Sequence, residues 1–258
     1  MPNDKMAINN IQMNPVPEII QLSSVHSTNT HLKELLKQQT LTEGSVVITN
    51  NQTAGRGQPG NSWESESGKN LTFSIILYPD MVSPTHQFII SKTIAVALTI
   101  ALEKFISPIK IKWPNDIYFN DNKLGGILIE NSLSGNIISH SVIGIGININ
   151  QTSFSPSIPN PTSMQLITGK KWDLKNIFLQ LYQSILTHYE HLTNKNTELI
   201  EKNYLTHLYR KEGFFKFRDN NGEFMASFNK IGPSGHLYLT RQDGVISKYA
   251  FKEVEFII

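Results

Sequence analysis

The sequence predicts an α+β fold in which helices pack against one mixed β-sheet and a small β-barrel follows at the C-terminus. The first half holds short β-rich segments separated by Asn, Asp and Gly turn signals, and longer segments carry apolar residues at helical spacing. From about Tyr209 onward, short strands alternate with glycines and no helical period returns. In a chain of 258 residues we expect an N-terminal tail at 1–17, a main domain at 18–208 and the barrel at 209–258.

The composition restricts the possible partners and compartments. The chain has no cysteine, which excludes disulfides, thiolate nucleophiles and cysteine-based zinc sites. Its net charge of +2 is too small for a general nucleic-acid binder. The first residues contain no apolar run of signal-peptide type, and the apolar region 88–105 is interrupted by polar and charged residues. We therefore expect a cytoplasmic protein whose partner is neither a nucleic acid nor a membrane.

Local patterns predict the elements of the first half. Residues 1–17 are rich in Asn and Pro, which favours a loose tail or an edge strand. Ser27 or Thr28 is expected to cap a helix that carries leucines at 32, 35 and 36. Strands are predicted at 46–49 and 71–77, followed by a buried helix at 88–105 with apolar residues on nearly all sides.

The second half begins with a strand meander and ends with short strands. Strands are predicted at 109–113, 117–119, 127–130 and 137–148 because each run is bounded by turn residues. Three prolines mark the stretch 153–161 as a surface connection. Apolar residues from Leu174 to Tyr189 recur at helical spacing, which predicts an amphipathic helix before the final β-rich segment.

A glycine-rich segment at 52–68 follows the first predicted strand. It opens with Gln-Thr-Ala-Gly-Arg-Gly at 52–57 and holds four glycines and one proline in all. The segment is either an ordinary flexible turn or an anion-binding loop, since glycines let backbone N–H groups approach phosphate and Arg56 offers a bidentate fork. It lacks the Lys-Ser or Lys-Thr of a Walker A motif and is not a Rossmann fingerprint. We expect a mobile loop that binds phosphate by closing over it.

The stretch 112–126 places two lysines around an Asn-Asp turn. Lys112 and Lys123 are either solvated charges or ligand-binding cations, and Asn115 and Asp116 are either turn formers or functional groups. Lys123 precedes Leu-Gly-Gly at the start of an apolar strand, so we expect its ammonium to point along the sheet into a cleft. Such a point charge suits an α-phosphate and a carboxylate at once.

A third glycine segment, Gly-Ile-Gly-Ile-Asn-Ile-Asn at 144–150, resembles half of a dinucleotide motif. The third glycine is missing and a strand runs through it, so we interpret it as a central strand along which an adenine or ribose lies close to the backbone. The eight histidines show no metal-ligand spacing, and Ser, His and Asp residues are scattered. Hydrolase chemistry therefore has no support.

Taken in order, these motifs and the Ser-Thr-Asn triplet at 27–29 resemble those of biotin protein ligases. The resemblance spans about residues 22–258 and implies a catalytic domain similar to class II aminoacyl-tRNA synthetases, with a C-terminal barrel. It also implies an enzyme that joins biotin to ATP as biotinyl-5′-AMP and transfers biotin to a lysine of a biotin carboxyl carrier domain. MgATP and biotin are then the expected substrates, the Mg²⁺ ligands are unassigned, and the expected state is a monomer or a transient homodimer.

The resemblance also implies roles for individual residues. Lys123 and Arg56 would stabilise the charge on the α-phosphate, and Asp116 would accept a proton or orient the incoming amine, unless it only holds the turn or a Mg²⁺-bound water. The implied biotin site comprises Ser27, Thr28, Asn29, Gln52, Arg56, Gly57, Gln58, Lys123 and Gly125. The implied ATP site comprises Arg56, Gly57, Trp63, Lys112, Asn115, Lys123, Gly144, Gly146 and Asn148.

Two departures from the family pattern affect these expectations. Many members carry further basic residues in the loop where this chain has Gln58, Pro59 and Asn61, so we expect weaker retention of the acyl-adenylate. Only 26 residues precede the triplet, which favours a monofunctional ligase without a DNA-binding domain. Two alternatives stay open: a lipoate protein ligase-like transferase, and a sensor or regulator that binds biotinyl-AMP without transferring it.

Overall fold

The computed structural model describes residues 16–258, so the predicted tail at 1–17 lies outside the described residues except for Val16 and Pro17. The first part of the chain contains β1 (Ile19–Leu22), α1 (Thr28–Gln38), β2 (Val46–Thr49), β3 (Leu71–Leu77), α2 (Phe88–Glu103), β4 (Ile109–Lys112), β5 (Asp116–Phe119), β6 (Asn122–Ser134) and β7 (Ile137–Ile147). The remainder contains α3 (Met164–Thr168), α4 (Leu174–Thr193), α5 (Thr197–His207), β8 (Phe214–Asp219), β9 (Gly222–Ile231), β10 (Leu237–Arg241), β11 (Ile246–Tyr249) and β12 (Glu255–Phe256).

The first seven strands form one mixed sheet in the order β1-β2-β3-β7-β6-β5-β4. The edge pair β1 and β2 is parallel, and the other neighbouring pairs are antiparallel. The predicted α+β class with a mixed sheet and packed helices is therefore confirmed.

Helices cover both faces of this sheet. Along β3, Phe73 and Ile75 belong to the large core that includes α2 and α4, whereas Ile76 belongs to a smaller core with Leu32 of α1. Since successive side chains of a strand point to opposite faces, all seven residues of β3 are buried. The helix α2 lies between the sheet and α4, which explains why its apolar residues nearly encircle it.

Beyond the N-terminus of α1, the face of the sheet that packs against α1 carries small and polar residues. Thr72 pairs with Gly146 and Ser74 with Gly144, while Gly126 of β6 pairs with Gly146 from the other side. The alternate residues of β7, such as Ile145, face the large core. A strand with this alternation is apolar toward the core and leaves an open, small-residue surface on the α1 face.

Several element boundaries differ from the sequence prediction. The helix predicted at 88–105 ends at Glu103, and the strand predicted at 127–130 runs over 122–134 in β6. The elements β1, α3 and α5 were not predicted. Strand β1 and helix α3 are short, and α5 carries only two buried residues, Ile200 and Tyr204. Ser27 occupies the predicted N-cap position of α1, but its side chain makes no capping hydrogen bond.

The C-terminal strands form a second sheet in the order β11-β10-β9-β8-β12, antiparallel throughout. Within residues 16–258 no pairing joins the edge strands β11 and β12, so the sheet is established while its closure into a barrel stays a prediction. The domain boundary at 208/209 also stays a prediction. The last helix ends at His207 and the second sheet begins at Phe214.

Aromatic contacts join the second sheet to the first part of the chain. The Phe251 ring lies 5.4 Å from Trp113 and 6.0 Å from Phe88 between centroids. The indole N–H of Trp113 donates to the carbonyl of Gly235 at 2.8 Å. In the described part of the chain, none of the helices has the length and apolar character needed to cross a membrane.

Candidate active site

A cavity of about 600 Å³ lies on the α1 face of the large sheet. Its walls come from five parts of the fold: the N-terminus of α1, the loop after β2, the turn before β5, strands β6 and β7, and the segment 251–256, which includes β12. It is lined by most of the residues that the sequence singled out: Ser27, Thr28, Asn29, Gln52, Arg56, Gly57, Gln58, Trp63, Lys112, Asn115, Asp116, Lys123, Gly144 and Gly146.

Gly125 and Asn148 do not line this cavity. A Cβ on Gly125 would lie 2.5 Å from Ile147 Cδ1 and 2.7 Å from the carbonyl oxygen of Gly146, so this glycine serves the packing of β6 against β7. The Asn148 side chain is buried and donates to the carbonyl of Thr162 at 3.0 Å. Gly125 precedes the cavity residue Gly126, and strand alternation turns it away from the cavity. Asn148 follows the end of β7 at Ile147, and its contact with Thr162 holds its side chain outside the cavity.

The N-terminus of α1 is held in place by a polar network. The buried Ser74 Oγ of β3 lies 2.7 Å from Thr28 Oγ1 and 2.6 Å from Asn29 Oδ1. Gln52 Oε1 accepts the backbone N–H of Thr28 at 2.9 Å. Gly144 is required here, because a Cβ at this position would lie 2.4 Å from Asn29 Oδ1. The triplet thus presents fixed polar groups at one end of the cavity.

Glu130 connects this network to the glycine-rich loop. Its carboxylate accepts from Asn29 Nδ2 at 2.9 Å, from Lys33 Nζ at 3.0 Å and from Arg56 Nη2 at 2.7 Å. Burial raises the pKa of Glu130, but these hydrogen bonds outweigh it and hold the pKa below its ordinary value. Arg56 also donates to Thr30 Oγ1 at 3.1 Å, so its guanidinium is already paired.

Lys123 lies in the cavity wall as the sequence predicted, and its ammonium has a carboxylate partner. Lys123 Nζ is 2.7 Å from Asp116 Oδ1, and the two side chains are 30% and 18% exposed. Lys123 follows the turn after β5, and its backbone N–H donates to the carbonyl of Asn160 at 2.6 Å. The pair gives the cavity a cation and a carboxylate at one point.

Lys112 supplies a second cation beside this pair. Its Nζ lies 5.2 Å from the ring centre of Tyr118 and 4.9 Å from that of Phe256. Burial lowers the pKa of Lys112, an effect that the Asp116 carboxylate opposes and the Lys123 ammonium reinforces. Asn115 has a structural contact instead, since its Nδ2 donates to the carbonyl of Ile127 at 2.5 Å.

The glycine-rich loop forms a short hairpin over residues 55–63, which we call the 55–63 hairpin. Gly57 N–H donates to Asn61 at 3.0 Å and Trp63 N–H donates to Gly55 at 2.9 Å, with a bridge between Arg56 and Ser62. The Trp63 indole packs on Gly146, where a Cβ would lie 2.4 Å from the ring. Its buried Nε1 has no hydrogen-bond partner within residues 16–258.

Three parts of the site were not predicted from the sequence. Glu130 and Ser74 lie within predicted strands, and a charged or polar residue on the inner face of such a strand was the available signal. The third contribution is the segment 251–256, which reaches the cavity from the second sheet. No local pattern signals a contact over that sequence distance.

Within residues 16–258, no group of three or more His, Asp or Glu side chains is arranged to hold a metal ion.

Known proteins are similar to this chain in sequence. A sequence profile of the biotin/lipoate A/B protein ligase family matches residues 22–148. The bifunctional ligase/repressor BirA of Bacillus spizizenii is 31% identical over 215 residues, which cover 81% of this chain and 65% of the relative. The biotin–[acetyl-CoA-carboxylase] ligase of Paracoccus denitrificans is 32% identical over 160 residues, or 59% of this chain and 65% of that one. The match therefore spans less than two thirds of the length of both relatives.

A solved structure extends the similarity to nearly the whole chain. Biotin protein ligase from Aquifex aeolicus, in complex with biotin and ATP, superposes with a TM-score of 0.76 at 27% identity, and the match covers 92% of this chain and 97% of that one. The resemblance derived from the ordered motifs is thereby confirmed. Residues 22–148 therefore carry a domain of the biotin/lipoate A/B protein ligase type, and the fold of the chain is similar to that of a biotin protein ligase.

Proposed function

We propose that the protein is an ATP-dependent biotin protein ligase, which forms biotinyl-5′-AMP and transfers biotin to a lysine of a biotin carboxyl carrier domain. The observation that carries this proposal is that Lys123, the Ser-Thr-Asn triplet and the 55–63 hairpin line one cavity. Such a cavity can hold a small acid at the triplet and a nucleotide along the glycines of β7, with a cation between them. The relatives' names and the Aquifex complex support biotin and ATP as the two ligands.

In the first step, the biotin carboxylate attacks the α-phosphorus of MgATP and pyrophosphate leaves. No general base is needed, because the carboxylate is already ionised. Lys123 neutralises charge on both reacting anions, and its 2.7 Å contact with Asp116 fixes the position of the ammonium. Lys112 adds positive charge at the nucleotide end of the cavity. Arg56 can add positive charge at the phosphate only when its guanidinium contacts both the phosphate and the Glu130 carboxylate, or when it leaves that carboxylate.

In the second step, the ε-amine of the acceptor lysine attacks the acyl carbon of the mixed anhydride. The new bond joins nitrogen to carbon, the acyl C–O bond breaks, and AMP leaves. The amine must be neutral to attack and loses a proton as the amide forms. Asp116 is the carboxylate of the cavity next to Lys123, and we assign it the role of proton acceptor or amine orienter.

The proposed macromolecular partner is a carrier domain and not a nucleic acid, in keeping with the net charge of +2. The protein acts as a monomer or a transient homodimer in this proposal. We also assign the protein to the cytoplasm, in keeping with a sequence that contains no cysteine.

A lipoate protein ligase is the second candidate, since the matching profile covers both activities. The Gln-x-x-Gly-Arg-Gly and Lys-Trp-Pro-Asn-Asp motifs at 52–57 and 112–116 favour biotin. A binding protein that holds biotinyl-AMP without transferring it is disfavoured by the presence of Lys123.

One experiment separates these candidates. The protein is incubated with MgATP and either biotin or lipoate, pyrophosphate release is measured, and labelling of a biotin carboxyl carrier domain is followed by mass spectrometry. We expect pyrophosphate release and carrier labelling with biotin only. Preference for lipoate would replace the proposal by the second candidate, and binding of biotin without pyrophosphate release would replace it by a sensor.

A further inference from the structure

The 55–63 hairpin lacks a free cation of its own. Residues 57–62 carry no charged side chain, and Arg56 is paired with Glu130 at 2.7 Å. The hairpin must nevertheless stay over the cavity while an anionic intermediate is bound, and its glycines make ordering costly in entropy. A contact from another part of the chain is therefore needed to hold the hairpin in place.

Lys252 provides such a contact from the segment beside the second sheet. Its ammonium donates to the carbonyl of Pro59 at the tip of the hairpin. A Cβ on the neighbouring Gly60 would lie 3.4 Å from the same Nζ. Within residues 16–258, Lys252 forms no ion pair with a carboxylate, so the hairpin carbonyl is its polar partner.

The backbone around Lys252 is fixed against the first part of the chain. Its neighbour Phe251 packs on Phe88 and Trp113. The Glu253 carboxylate accepts the N–H of Ala250 at 2.6 Å, which closes the turn. Lys252 itself has φ = 70°, a left-handed conformation that residues other than glycine seldom adopt. The aromatic packing and the turn thus fix the backbone from which the Lys252 side chain reaches the hairpin.

We propose that Lys252 is a positioning residue, which holds the 55–63 hairpin over the cavity by donating to Pro59, so that the segment beside the second sheet sets how long the acyl-adenylate stays bound. The inference about residence time rests on the proposed function. The inference about the hairpin contact does not, because it concerns the ligand-free protein. It assigns to the C-terminal part of the chain a role in retaining the intermediate.

The test uses Lys252→Met, with Lys252→Arg as the conservative variant and Lys248→Met as the control. Lys248 is an exposed lysine of the neighbouring strand β11 and does not line the cavity. Trypsin cleavage after Arg56, followed by mass spectrometry, reports opening of the hairpin without any ligand. Release of labelled biotinyl-AMP, chased with unlabelled biotinyl-AMP, reports the residence time. Thermal unfolding of each variant checks that the fold is intact.

A charge-assisted hydrogen bond at an exposed site predicts an increase of about 3- to 10-fold in both rates for Lys252→Met. The control variant should match the wild type, and Lys252→Arg should restore most of the loss because it keeps the cation. Wild-type rates in Lys252→Met for either measurement would overturn the proposal. If the wild type released no pyrophosphate with biotin and ATP, the proposed function would fail, while the Arg56 cleavage rate would still decide the hairpin contact.

Discussion

Substitution of Gly146 by alanine tests whether the Trp63 indole must pack on β7 for the nucleotide to bind. The added Cβ would lie 2.4 Å from Trp63 Cε2, 2.6 Å from Cζ2 and 2.8 Å from Nε1. Because non-bonded carbons approach to about 3.5–4.0 Å, the ring must move by roughly 1 Å or more. Overpacking of this kind costs about 1–3 kcal/mol. Because Trp63 belongs to the 55–63 hairpin, we expect the indole to leave β7, so that the cost falls on the docked position of the hairpin and not on the fold. If ATP binding requires the docked position, this cost corresponds to a loss of about 5- to 150-fold in affinity for ATP.

The matched control is Gly126→Ala on the neighbouring strand β6, where Gly126 pairs with Gly146. There the nearest atoms to the new Cβ are Asp116 Oδ1 at 3.5 Å, Lys123 Cε at 3.6 Å and Trp63 Cζ3 at 3.6 Å. This variant adds the same methyl group to the same wall of the cavity in ordinary van der Waals contact. The comparison therefore isolates displacement of the indole from loss of cavity space.

The assay is the dependence of biotin-stimulated pyrophosphate release on ATP concentration, with thermal unfolding measured in parallel. We expect a much higher KM for ATP in Gly146→Ala than in Gly126→Ala, at similar unfolding temperatures. Equal KM values in the two variants and the wild type would refute the argument that Trp63 closes the nucleotide site.

Three further predictions concern the charged groups of the cavity. Lys123→Ala should slow biotinyl-AMP formation about 10²- to 10³-fold, measured in a single turnover, because one preorganised cation is lost; a near-normal rate would remove Lys123 from the mechanism. Asp116→Asn should slow biotin transfer from preformed biotinyl-AMP to a carrier domain, and an unchanged transfer rate would limit Asp116 to holding the turn. Burial lowers the pKa of Lys112, so its charge is lost as pH rises through a value below the ordinary 10.5. Lys112→Arg, whose guanidinium stays protonated, should therefore retain affinity for ATP to higher pH, and identical alkaline profiles would contradict this assignment.

The Arg56–Glu130 pair changes the view of the glycine-rich loop. From the sequence, Arg56 is an anion-binding fork, but the structure gives its guanidinium the Glu130 carboxylate and the Thr30 hydroxyl as partners. Since Glu130 also accepts hydrogen bonds from Asn29 and Lys33, the glycine-rich loop is connected to the N-terminal part of α1. A cation that was expected to act on phosphate thus also ties two walls of the site together.

The sequence by itself determined the fold class and most of the cavity wall. Alternating apolar residues and glycines in β7 follow from the two-residue period of a strand, so one face packs in the core and the other stays open. The ordered motifs at 27–29, 52–57, 112–116 and 123–126 are local, and each carries its own turn or strand signal. Local signals of this kind can be recognised without knowing what lies opposite them.

Only the tertiary structure decided how these pieces meet. It paired Lys123 with Asp116 and Arg56 with Glu130. It also left Gly125 and Asn148 outside the cavity lining, although Gly125 adjoins the cavity residue Gly126 in sequence. It also brought Lys252 to the hairpin tip across more than 190 positions of sequence. Charge pairing and the direction of a side chain depend on strand register and on the docking of the second sheet, which arise from packing over the whole chain and leave no local pattern.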